Sequence, residues 1–440
     1  MKFLIKLFLV FFVAQTGIAQ ELNTSKLDTY FKALEDNQQF MGSVALSKNG
    51  KTIYTHSSGF ADVENQLKAT EKTTYRIGSI SKTFTAVLVM KAIEKNKLSL
   101  NQNLSGFFPQ VENAEKITIE QLLRHRSGIH NFTNDKKYLT YNTEAKSQKE
   151  MLEIIAGKDS YFEPGSQFQY SNSNYVLLSY ILEDVFESDY SSLLKKYIVS
   201  PINLTNTFFG ETSNTEIIQS KSYKMIDNWE IQPETDASIP MGAGGIVSNP
   251  TDLIKFTQAL FRGDLVKPES LKKMIDFKDR FGLGLIEMPF NEKKGFGHTG
   301  GIDGFTSVFG HFQKQGVSFA ICSNGGDYNL NDILINLLSA TFGKYFEIPE
   351  FKTVEVSEEE LEKYLGFYTS DQIPLDLTIT KKGKTLIGQG SGQPSFPLNA
   401  VGDGKFTYAA AGVAIEFEPE KNQFILKQGG GEYRFEKTER

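Results

Sequence analysis

Three short stretches carry the residues best suited to chemistry. Ser79-Ile80-Ser81-Lys82 sets a hydroxyl three positions before an amine. On a helix, positions i and i+3 share a face, so these two side chains can meet. The amine can then accept the serine's proton, or lower its pKa by charge, and either effect creates a nucleophile. The spacing Ser-x-x-Lys recurs at Ser192 and Ser270, so spacing alone does not choose Ser79. Position does. Ser79 follows Gly78 and opens a stretch with an apolar face (Phe84, Val87, Leu88, Ile93), and a helix N-terminus favours developing negative charge. The other two copies lie in surface-like patterns and read as solvated lysines. The second stretch, Tyr170-Ser171-Asn172, falls between the turn Glu163-Pro164-Gly165 and a helix beginning near Asn174. A tyrosine near a lysine can relay protons, and an Asn amide can bind a substrate carbonyl or amide. Read alone, it is equally an N-capping turn beside a core tyrosine. The third, His298-Thr299-Gly300-Gly301, precedes a strand starting near Phe305. Glycines there let a substrate backbone approach an edge strand, whose free N–H can donate to an oxyanion. Alone it is also readable as a Gly-rich loop.

The elements around these stretches read as one α+β domain followed by a small all-β one. Leu27, Tyr30, Phe31 and Leu34 recur at helical spacing after Ser25, with Asp28 as a capping-box partner. Gly42 to Lys48 and Lys51 to Ser57 flank Asn49-Gly50, a strong hairpin signal. Helical patterns follow at Lys82 to Lys95, Ile119 to Arg124 and Tyr175 to Phe186. Strands return at Phe305 to His311 and Val317 to Cys322, and a last helix spans Asn331 to about Phe342. Strands at both ends with helices between predict an antiparallel sheet, flanked by helices and a helical subdomain, that joins the two ends of residues 20–346. Glu350 to Glu362 is charged and linker-like. Beyond it at least five short strands, separated by Gly, Asn or Pro, predict an antiparallel β accessory domain within 347–440. Nothing in that tail carries a catalytic pattern. No internal repeat or low-complexity tract is present.

Taken in order, the three stretches resemble the serine β-lactamase and penicillin-binding-protein superfamily, whose signature is S-x-x-K, S-D-N and K-T-G. The forms here are most similar to the class C β-lactamase-related branch, with its DD-carboxypeptidases, esterases and D-aminopeptidases. Flanking blocks agree: Arg76 to Phe84, Ile119 to Ile129, Pro164-Gly165 and Gly244 to Ser248. The match spans roughly residues 24–346, and the tail resembles the barrel-like accessory domain of some members. The resemblance implies that Ser79 attacks a carbonyl to form an acyl-enzyme, with Lys82 and Tyr170 sharing the general-base work. It further implies that Asn172 positions the substrate amide, the N–H groups of Ser79 and Gly301 form the oxyanion hole, and His298 and Thr299 contact the substrate's acid end beside Gly300. Dedicated β-lactamases of this branch carry Lys at the position of His298. Histidine, with an ordinary pKa of about 6.5, predicts weaker or pH-dependent carboxylate recognition and so a peptidase-like or esterase-like member. A true β-lactamase is the alternative, and a non-catalytic binding or sensor protein on this fold is the second. Implied substrates are cell-wall peptides, β-lactams or esters.

Other chemistries find little support. Net charge is −6 over 440 residues, against nucleic acid as main partner. One cysteine, Cys322, precludes an intrachain disulfide or a Cys-based zinc cluster. None of the five histidines has metal-site spacing, and His125 and His130, flanking Ser127-Gly128, read as structural. No G-x-S-x-G, P-loop or dinucleotide fingerprint occurs, and no cofactor is implied. Gly242 to Gly245 reads as a tight turn near the site. Trp229 and Tyr223 are candidates to line the cleft. At the N-terminus, Lys2 and Lys6, an apolar run from Leu7 to Ala14 and the small residues Gly17 and Ala19 form a secretory signal peptide over 1–19. Export to the periplasm or medium is the expectation, with no membrane span in the mature chain.

Overall fold

The computed structural model describes residues 22–438, apart from 212, 227, 352, 353 and 355. The proposed leader lies outside the described residues.

A six-stranded antiparallel sheet forms the centre, in the order Ile286–Glu287, Phe296–Ile302, Phe305–Phe312, Val317–Gly325, Met41–Lys48, Lys51–Ser58. Asn49-Gly50 turns the first hairpin, and Met41–Lys48 pairs with Val317–Gly325, so the two ends of the domain share one ladder. Both neighbouring strands are buried on both faces, and their alternation divides two cores. Val44, Leu46, Phe319 and Ile321 pack with Leu27, Phe31 and Leu337 from the two terminal helices, Thr24–Asp36 and Leu330–Thr341. Ala45, Ala320 and Cys322 face the larger core, filled from helices Ser81–Glu94, Asn172–Phe186 and Pro250–Arg262. The first helix is capped by Asn23, not by Ser25, because the Asn23 side chain accepts the Lys26 N–H.

Helix Ser81–Glu94 is buried nearly all round, its polar first-turn residues Ser81, Lys82 and Thr83 included. Lys82, so placed, requires partners. Asn172–Phe186, likewise buried, brings the end of the second motif against it.

After a short helix, Glu358–Leu361, inside the linker-like stretch, eight strands close an antiparallel barrel from Gly366–Thr369 to Gly431–Thr438. Its interior is filled by side chains, among them Tyr364, Leu386, Leu398, Phe406, Ile415 and Phe424. Such a barrel is a packed core rather than a container.

Candidate active site

The nucleophile turn depends on a glycine. Gly78 has φ +50, and a Cβ there would stand 2.8 Å from the backbone N of Gly301. Its absence lets the turn Gly78–Ile80 lie directly against strand Phe296–Ile302. Gly300 is equally constrained: a Cβ would meet the Ile77 carbonyl at 2.0 Å, whereas one at Gly301 would meet nothing within 4 Å. Gly301 therefore faces open space at the edge of the nucleophile turn, where a substrate backbone could lie. Ser81 Oγ accepts the Ile246 N–H at 3.1 Å and ties the turn to strand Ile246–Ser248.

Ser79 Oγ is held from two sides. Lys82 Nζ stands 2.9 Å away, and the Tyr170 hydroxyl donates to it at 2.8 Å. Lys82 is fully buried, and its amine also donates to Asn172 Oδ1 at 2.7 Å and to the Ala243 carbonyl at 2.7 Å. Burial holds the Lys82 pKa well below the ordinary lysine value, because an apolar surround disfavours the charged form. A neutral amine suits the three contacts: two N–H donors serve Asn172 and Ala243, and the lone pair is left for the serine's proton. Tyr170 moves the other way. Burial raises its phenol far above the ordinary tyrosine range, so it remains a protonated donor. The two opposite shifts make the amine the better suited of the pair to accept the serine's proton.

Tyr170 is itself supported. The His125 ring lies 4.3 Å from the Tyr170 ring, centroid to centroid, and its Nδ1 accepts the Ser171 N–H at 3.2 Å. This assigns the proton to Nε2, and burial keeps His125 neutral. Asn172 lines the cleft, but its amide is engaged: Oδ1 accepts from Lys82 and Nδ2 donates to Thr133 Oγ1 at 3.2 Å.

The third motif does not follow its sequence reading at every residue. His298 is 4% exposed, with Nδ1 2.6 Å from the Thr299 carbonyl oxygen, and does not line the cleft. Burial pushes it down to about 4. It is neutral throughout the physiological range, so the expected pH-dependent carboxylate contact is replaced by an uncharged buried ring. Thr299 is exposed on its strand, outside the cleft lining.

The cleft at Ser79 measures about 350 Å³, lined by Phe132, Tyr138 and Leu139 on one wall and Ile302, Phe305 and Thr306 on the other. Among the described residues Asp303 is the one charged member of its lining, and that charge is met: Arg76 lies 2.9 Å from Oδ2, and Thr235 donates to both oxygens. Tyr223 and Trp229 stand apart from the cleft, Tyr223 donating to Glu64 and Trp229 packing over Gly325. Ser192 bonds Asp189 and Ser270 bonds Glu94, so neither duplicates the Ser79 arrangement. Among the described residues no cluster of three or more His, Cys, Asp or Glu could hold a metal ion.

The Ala243 carbonyl, Thr133 and the Arg76–Asp303 pair were not singled out from sequence. Only the Gly-rich run around Ala243 signalled a close approach.

The family model described as Beta-lactamase matches residues 27–340. The chain belongs to the beta-lactamase family. Penicillin-binding protein 4* of Bacillus subtilis (strain 168) is 25% identical, over 92% of this chain and 97% of its own. Among solved structures, D-amino acid amidase from Ochrobactrum anthropi SV3 is 26% identical with a TM-score of 0.61, covering 70% of this chain and 99% of that one. The octameric penicillin-binding protein homologue from Pyrococcus abyssi shares the fold over 94% of this chain and 99% of its own, with a TM-score of 0.65 at 23% identity. This chain is thus a hydrolase-fold member of the serine β-lactamase and penicillin-binding-protein superfamily.

Proposed function

We propose that this chain is an exported serine hydrolase that cleaves amide or ester bonds through an acyl-enzyme on Ser79 and favours leaving groups without a carboxylate. The observation that carries the first part is the position of Ser79 Oγ between a buried Lys82 amine at 2.9 Å, whose pKa burial lowers, and a Tyr170 hydroxyl at 2.8 Å. In acylation the serine proton passes to Lys82 as the Oγ–C bond forms. The tetrahedral oxyanion is received by the Ser79 and Gly301 N–H groups, where one such donor is worth about 10²–10³ in rate in other serine hydrolases. The C–N or C–O bond then breaks, and the leaving group takes its proton through Tyr170, which Lys82 reprotonates. Water repeats the sequence and frees Ser79.

The second part rests on charge. Among the described residues no lysine, arginine or histidine lines the cleft, His298 is neutral, and Asp303 is already paired. A C-terminal carboxylate entering this site would lose hydration without gaining a cation. This favours amidase or esterase chemistry over a D-alanyl carboxypeptidase, and similarity to a D-amino acid amidase supports it. The test compares N-acetyl-D-Ala-D-Ala with its methyl ester and its C-terminal amide. We expect kcat/KM at least about tenfold higher for the uncharged forms, a difference of ~1.4 kcal/mol. Equal or better turnover of the free acid overturns the charge argument.

A further inference from the structure

The cleft has one lining residue that does not come from the catalytic domain. Pro394 belongs to the barrel, in the turn Ser391 to Pro394 between strands Thr385–Gly390 and Ser395–Gly402, yet it lines the same 350 Å³ space as Ser79. The turn is built rather than loose. Gln393 N–H donates to the Gly390 carbonyl at 3.0 Å, Ser391 N–H to the Asp376 carbonyl at 3.0 Å, and Gln389 Nε2 to the Gln393 carbonyl at 3.1 Å. Gly392, at φ +73, supplies the left-handed step a tight turn needs. A Cβ there would come 3.7 Å from Lys136 Cα, so the turn sits on the loop that also contributes Phe132 and Leu139.

Contacts with the catalytic domain hold the barrel in that position. Lys224 Nζ donates to the Ser395 carbonyl, next to Pro394, at 2.6 Å. Lys382 pairs with Glu230 at 2.5 Å, and the Asn399 amide, on the strand leading from Pro394, donates to Asp327. The turn thus lies against the 132–142 loop at Gly392, and Ser395, the first residue after it, is held by the hairpin Tyr223–Met225 with Trp229–Ile231. Since the barrel's own interior is filled, its surface is what it offers to a ligand.

We propose that the barrel turn Ser391 to Pro394 is a specificity element, with Pro394 closing the cleft and limiting the substrate to compact, uncharged acyl groups of about one or two amino acids. The space it bounds is at the lower end of the ~300–1,000 Å³ usual for small-ligand sites, and Phe132, Leu139, Ile302, Phe305 and Pro394 make it apolar. A long acyl chain that runs toward the barrel meets the turn at Pro394. This rests on the hydrolase reading above.

The test is a series of p-nitrophenyl esters, from acetyl to decanoyl, hydrolysed by the full chain and by Pro394→Gly, Pro394→Trp and Lys224→Met. Pro394 is exposed and Lys224 lies outside the Ser79 cleft, so folding of each is checked by thermal unfolding. The readout is the ratio of kcat/KM for decanoyl over acetyl. Pro394→Gly is expected to raise it about tenfold, the lower end of what a hydrophobic pocket gains or loses over one methylene. Pro394→Trp lowers it, and Lys224→Met raises it by less than Pro394→Gly. Ser79-dependent turnover with a ratio unmoved in all three variants overturns this inference alone. Absence of Ser79-dependent turnover in the wild type overturns the hydrolase reading and this inference together.

Discussion

Replacing Lys82 with methionine should slow turnover sharply and at the same time alter how stability depends on pH. Lys82 is fully buried, and burial lowers its pKa well below the ordinary lysine value. In the unfolded chain it titrates near ~10.4. Between the lowered folded value and ~10.4 the unfolded state therefore binds one more proton than the folded state. Stability from this group is fully present above ~10.4 and is lost as pH falls toward the folded value, at about 1.4 kcal/mol per pH unit. Lys82→Met removes that slope. It also strips Asn172 Oδ1 and the Ala243 carbonyl of a donor, at ~1–3 kcal/mol each, a cost that does not vary with pH. Urea unfolding of both proteins between about pH 7 and about pH 10 isolates the effect, because every other group cancels in the difference. Wild-type stability should rise relative to Lys82→Met by about 1.4 kcal/mol per unit wherever the folded amine is neutral. Activity should fall by about 10²–10⁴, the usual worth of a general base. Parallel pH curves would refute the reasoning, for Lys82 would then keep its charge and Ser79 would face an ammonium rather than a base.

Two further outcomes test the frame of the site. Arg76→Met leaves the buried Asp303 carboxylate with Thr235 alone; removing one member of a buried pair costs about 3–5 kcal/mol. Urea unfolding should show that loss, and Asp303→Asn added to it should recover most of it; an unchanged midpoint would place the pair outside the stabilising frame. Asp327, at the barrel contact, is pushed up to about 7 by burial, while the Asn399 amide donating to it works in the opposite direction. Its folded pKa is the higher one, so its contribution is present below ~3.9 and lost as pH rises to about 7. Asp327→Asn should flatten the fall in thermal stability across that window, by at most ~4 kcal/mol, and an unchanged profile would show that the carboxyl titrates normally.

The site was legible in sequence where chemistry depends on local spacing. Ser79 and Lys82 meet because they are three residues apart at the start of one helix, and Asn49-Gly50 forces its hairpin without outside help. What the sequence did not reveal was made by contacts far apart in the chain. Arg76 and Asp303 join over 227 positions, and Ala243 reaches Lys82 over 161. His298 looked like a pH-sensitive contact because its burial by the surrounding core is invisible in a motif. Five of the eight barrel strands were clear in sequence; of the other three, Ser395–Gly402 was hidden by Pro397 within the strand, and Gly431–Thr438 by its charges, which face outward. Pro394 carried no signal, since its position at the cleft follows only from how the barrel docks.

The central claim is that Ser79 is the nucleophile of an acyl-transfer site. Intact mass of the purified protein after incubation with benzylpenicillin, and separately with a fluorophosphonate, beside Ser79→Ala, tests it most directly. A single covalent adduct with the fluorophosphonate, absent from Ser79→Ala, is expected; a slower penicillin adduct at the same residue would extend the site to β-lactams. An unmodified wild-type mass with both reagents, or an adduct that persists in Ser79→Ala, would contradict it.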